Sequence, residues 1–133
     1  MRLSRRGRMG LLMVLAAAIA AATGCSRFSS EKRNTAVARL HQMDALLPKL
    51  VSAYSAGDQA TAQRLAGQIS ELHDGTTETV IREFDAKLRD QTEEVFEQQL
   101  PDKVNHHAPT AEVQALAQHG HALIGQALAK IGR

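Results

Sequence analysis

Six histidines, fourteen acidic residues and one cysteine carry the reactive side chains of this 133-residue chain. The histidines are His41, His73, His106, His107, His119 and His121. Neutral imidazole is a common ligand for zinc, copper and nickel, so their spacing comes first. His119 and His121 are two positions apart, about 200° around a helix, and do not share a metal easily. No helical pair stands at i,i+4, and no HExxH occurs. His106 and His107 fall in a predicted loop, where they could adapt to an ion together with Asp102 and Glu97. His41 and His73 fall near apolar helix seams and are expected at the boundary of the core. A second cluster is acidic. Asp90, Glu93, Glu94 and Glu97 crowd the end of one predicted helix. Their like-charge i,i+4 pairs repel, and a helix C-terminus disfavours negative charge. A basic partner or a cation there would relieve the repulsion; a solvated acidic face is the plain alternative.

Other chemistry lacks its residues. There is no Gly-rich phosphate loop and no Gly-x-Ser-x-Gly. No Cys-x-x-Cys-His attaches haem, and Met43 with His119 or His121 has no supporting spacing as an axial pair. No cofactor and no small-molecule substrate are predicted, and the chain reads as a non-enzyme. Aromatics are Phe28, Tyr54, Phe84 and Phe96, with no Trp. Single-strand nucleic-acid binding needs stacking faces and is not expected.

The net charge of +2 divides along the chain. Arg2, Arg5, Arg6 and Arg8 precede every acid, the first of which is Glu31. Residues 11–22 then read LLMVLAAAIAAA. This apolar run is shorter than the roughly 20 residues of a membrane span and suits a secretory signal. The run ends in Ala22-Thr23-Gly24-Cys25. An apolar residue, two small residues and Cys resemble the signal of a bacterial lipoprotein. The resemblance covers the signal alone. It implies a signal peptide over 1–24, lipid on the Cys25 thiol, cleavage before Cys25 and acylation of the new N-terminus. Three acyl chains would make the anchor effectively permanent, since each buried methylene contributes about 0.8 kcal/mol. Ser26, rather than Asp, implies the outer membrane, facing the periplasm, over the inner membrane. Ordinary secretion after Ala20-Ala21-Ala22 and an uncleaved anchor are the alternatives. Without the four early arginines, 12 basic and 14 acidic residues remain. The mature chain is mildly acidic.

After a tether at 25–30, residues 31–133 read as one all-α domain. Apolar residues recur at three and four in four segments. The first, about 31–55, contains Pro48, which predicts a kink or break near Leu46–Pro48. Ser55-Ala56-Gly57-Asp58 is a turn, with Gly57 as a left-handed cap and Asp58 as the next N-cap. The second helix runs about 58–73. The third runs about 77–100, with Phe84 in its apolar stripe, i,i+4 pairs Glu78/Arg82, Glu83/Lys87 and Asp85/Arg89 on its surface, and Pro101 as its stop. Residues 101–109 form a loop. The fourth runs about 110–131, with Gly120 and Gly125 admitting a close neighbour. The expected architecture is a small antiparallel bundle of about four helices, after the N-terminal signal helix.

These features predict a lipid-anchored envelope protein that binds another envelope protein. Secretin pilotins, assembly lipoproteins and exclusion or immunity lipoproteins share this format of anchor, size and helix content. The acids Asp90, Glu93, Glu94 and Glu97, and a groove near Pro48, are the candidate contact surfaces. A periplasmic metal-binding lipoprotein and a self-associating structural protein are the competing readings.

Overall fold

A hydroxyl or carboxylate caps three of the helices. The computed structural model describes residues 29–132; the expected signal peptide, Cys25 and most of the tether lie outside these. Ser29 caps α1 (Ser30–Ser55), its side chain accepting from the Lys32 N–H. The chain reverses at Gly57, φ +78°, and Asp58 caps α2 (Gln59–His73) by accepting from the Thr61 N–H. Gly75, φ +73°, turns the chain into α3 (Thr76–Phe84). Asp85 is extended, at φ −160° and ψ 100°, and caps α4 (Ala86–Glu93) through the Leu88 N–H. A π-helical segment, Glu94–Gln99, leads into α5 (Leu100–Asn105), and α6 (Thr110–Ile131) closes the chain. Since α4, the π segment and α5 run on without a break, the described residues form five helical rods. The described residues are 88% helical, with no strand among them.

Every rod contributes to one core. Leu40, Met43 and Leu50 of α1, Ile69 of α2, Ile81 of α3, Phe96 of the π segment and Leu123 and Ile124 of α6 are fully buried or nearly so. Two sets of bonds close the ends. At one, Tyr54 Oη donates to the Ala108 carbonyl, and the Gln59 amide donates to that of Val104. At the other, Arg33 Nη2 donates to the Ile131 carbonyl at 2.6 Å, and Lys130 Nζ pairs with Asp85. None of these helices is long and apolar enough to cross a membrane.

Three expectations are corrected. First, α1 continues through Pro48 without a break. Pro48 is exposed, so its ring displaces no core side chain. Second, the helix expected over 77–100 divides at Asp85. Asp85 is recruited as an N-cap and by Lys130, and both interactions favour the extended residue over another helical turn. The break turns Phe84 outward, and it separates Glu83 from Lys87. Third, Pro101 does not stop the helix. Leu88, Thr92, Phe96, Leu100 and Val104 are buried at intervals of four. In a regular α-helix each such step drifts about 40°, so Leu88 and Val104 would end up about 160° apart. A wider i→i+5 turn, with the Leu100 N–H bonded to the Val95 carbonyl, winds back part of that drift. It also places Pro101 just after a register change, where its missing N–H disrupts less of the ladder.

Candidate functional site

The polar centre of the bundle is His73, which sequence periodicity placed at a boundary. It is fully buried at the last position of α2. Its Nδ1 lies 2.6 Å from Oε1 of Glu97, and its Nε2 lies 2.8 Å from Oγ1 of Thr92. Its ring also tilts against Phe96, with centroids 5.9 Å apart. The signal for this in the sequence is the spacing of Thr92 and Glu97, five apart, which share a face only across a widened turn.

The hydroxyl–imidazole–carboxylate order is that of an activated nucleophile. Here it is sealed, because Thr92 is fully buried and its hydroxyl also meets the Arg89 carbonyl at 2.9 Å. With Glu97 as a carboxylate, two proton arrangements satisfy the group. Either Thr92 donates to that carbonyl and both ring nitrogens donate, or Thr92 donates to Nε2 and Nδ1 alone donates. In both, Nδ1 carries the proton that faces Glu97. The arrangement ties α2 to α4 and to the π segment.

Beside it, ligand oxygens of Asp74, Glu78 and Glu97 lie within 4.8 Å of one another. Each acid already has a partner. Arg89 Nε and Arg82 Nη2 each donate to Glu78 at 2.8 Å, Glu97 holds His73, and Asp74 accepts from the Gly75 N–H at 2.7 Å. The hydrogen bond from Arg89, more than any other interaction, holds the Glu78 carboxyl below its ordinary range, although burial opposes it. Arg89 is in turn held even more firmly protonated, chiefly by its bonds to Glu78 and Asp90.

Arg89 also divides the acidic cluster expected from sequence. Its Nη1 pairs with Asp90 at 3.0 Å and with Glu93 at 2.7 Å. Glu94 accepts from Gln99, and Glu97 turns inward to His73. The cation that the crowded carboxylates called for is thus within the chain. Asp85, expected to pair with Arg89, instead holds Lys130, which with the Leu88 N–H lowers its carboxyl. His106 Nδ1 meets Asp102 at 2.9 Å on the surface, and His107 follows at φ +54°. Among the described residues, the only grouping of three potential metal ligands is Asp74, Glu78 and Glu97, so Glu97 is not gathered with Asp102, His106 and His107.

A cavity of about 780 Å³ opens on another face, between α1 and α6. Leu47, Pro48, Val51 and Ala117 make its apolar floor, and Ser52, Gln114 and Gln118 its polar rim. At one edge His121 Nδ1 and Asp44 Oδ1, 2.6 Å apart, link the two helices. The candidate groove at Pro48 is therefore present in a helix that runs on through the proline. Small side chains make it: proline, serine and alanine stand where larger residues would close the seam between the helices. Comparison with family models, curated proteins and solved structures finds no match.

Proposed function

We propose that this chain is a lipid-anchored, non-catalytic binding module of the bacterial cell envelope. A signal peptide over 1–24 is removed, Cys25 carries the lipid, and the helices, packed antiparallel, stand on the periplasmic side of the outer membrane. The module captures an amphipathic helix of another envelope protein. The groove between α1 and α6 is the observation that carries this reading. Its apolar floor and serine and glutamine rims suit a helix laid into a groove, with apolar residues anchoring every third or fourth position. The cluster Asp90, Glu93, Glu94 and Glu97 is a weaker candidate contact, because Arg89 and His73 already engage three of its four acids.

Two variants test the parts separately. Cys25→Ala should leave the membrane fraction or block processing; unchanged membrane retention removes the anchor. Ser52→Trp fills the groove from its rim. A partner crosslinked to the wild-type protein in its own envelope should be lost with Ser52→Trp. Undiminished recovery of that partner excludes the groove.

A further inference from the structure

Phe84 is the one large hydrophobic side chain exposed among the described residues, at 41%. A lone surface phenylalanine is ordinary. Its surroundings are not. The extended Asp85 breaks the helix directly after it, so its exposure is a property of the backbone path. The Arg33 guanidinium sits 5.3 Å from its ring centroid and is fixed there by the Ile131 carbonyl. An aromatic ring beneath a cation that reaches past it is the pairing found where one end is apolar and the other wet.

Arg33 and Ile131 place Phe84 at the end of the bundle where α1 begins and α6 finishes. Only residues 26–28 lie between Cys25 and Ser29. Fully extended, that stretch spans at most about 14 Å. An acylated Cys25 would therefore hold this end, and no other, against the headgroups. The tether carries Arg27, and the charges whose chain positions fall at this end are Lys32, Arg33, Lys87, Lys130 and Arg133 with Glu31, Glu83 and Asp85. Basic residues are in excess there, so attraction to anionic headgroups would act beside the aromatic contact.

We infer that the bundle stands on end on the bilayer, with Phe84 seated in the lipid interface as a second contact beside the anchor. The inference rests on the acylation of Cys25. It gives the groove a height. Asp44 to Ala56 lie 14 to 26 residues along from Ser30, about 21–39 Å up an upright helix. The groove would face the periplasm, clear of the membrane.

The chain has no Trp, so one introduced indole reports alone. Phe84→Trp and Ala60→Trp, the second at the far end of the bundle, are made in the full chain and purified with their lipid. Each is reconstituted in phosphatidylethanolamine–phosphatidylglycerol vesicles with and without brominated acyl chains. Circular dichroism checks that both fold, and mass spectrometry reads the acyl groups on Cys25. Phe84→Trp should show blue-shifted emission, quenched by bromolipid, while Ala60→Trp stays unshifted and unquenched. Acylated protein whose Phe84→Trp emission is unquenched overturns this inference and leaves the anchor standing. Quenching of both variants overturns the upright orientation. A Cys25 without acyl mass removes the anchor and this inference together.

Discussion

The Nδ1 of His73 lies 2.6 Å from Oε1 of Glu97, across 24 residues of sequence, and the imidazole between them and Thr92 has no contact with water. Removing the ring breaks both bonds, although Thr92 keeps the Arg89 carbonyl and Glu97 is 24% exposed. His73→Leu should cost about 1–3 kcal/mol, two hydrogen bonds at about 0.5–1.5 kcal/mol each. Thr92→Val should cost less in the His73→Leu protein than alone, because its bond to Nε2 is already gone. Urea denaturation of the two single variants and the double variant measures the coupling. Directly bonded groups couple by about 0.5–3 kcal/mol. Simple additivity would show that the two side chains do not share this bond.

That network marks the limit of what the sequence made legible. Helix class, the Gly57–Asp58 turn and the stripes of α1, α2 and α6 follow from local spacing, and the folded chain has them. A groove beside Pro48 was expected from a kink at the proline, and the cavity there lies in the seam between α1 and α6. His73 was not foreseeable. A lone histidine near an apolar seam has the same pattern whether exposed or buried. Its partners come from α4 and the π segment, whose register depends on a widened turn. The break at Asp85 was hidden for a similar reason. Residues 77–100 have good helical periodicity, and the competing cap involves Lys130, which lies 45 residues further on.

The ion pairs of Glu78 set an acid limb for stability. Its carboxyl titrates below the ordinary 4.5 when folded, so the folded state favours its ionised form. That stabilisation is fully present above the unfolded value and is lost as pH falls through the lowered folded value. Asp58 and Asp85, both lowered from 3.8, act with the same sign at slightly lower pH. Through these carboxylates the denaturation midpoint should thus fall steadily below about pH 4.5. Arg89→Gln should lower the midpoint at pH 7 and flatten that fall. An unchanged acid slope in Arg89→Gln would mean that Glu78 is not the group responsible.

Two glycines on α6 were expected to serve one purpose, and they do not. A Cβ at Gly120 would lie 2.8 Å from Cε1 of Phe96, whereas one at Gly125 would meet nothing within 4 Å. Phe96 is fully buried and has little room to retreat. Gly120→Ala should therefore destabilise by about 1–3 kcal/mol through overpacking. Gly125→Ala should stabilise by about 0.5–1 kcal/mol, since it removes only the entropic penalty of a helical glycine. Thermal unfolding of the two variants decides. Equal effects would contradict the close approach of α6 to Phe96.

The π turn has two candidate causes, Pro101 and the core repeat of Leu88, Thr92, Phe96, Leu100 and Val104. They make different predictions. A proline in a regular helix interior costs about 3 kcal/mol, so if Pro101 forced the distortion its replacement by Ala would recover most of that. If the buried repeat demands the wide turn, Pro101→Ala changes the register of nothing, and the gain should stay below about 1 kcal/mol, the scale of ordinary helix propensities. The Leu100 N–H should then still bond to the Val95 carbonyl, as it does now. Guanidinium denaturation gives the energy, and backbone chemical shifts of 94–101 give the register. A Pro101→Ala protein that is α-helical throughout, with Leu100 bonded to Phe96, would assign the turn to the proline. We expect the repeat to win, because an α-helical register would rotate Val104 away from a position where it is now completely buried.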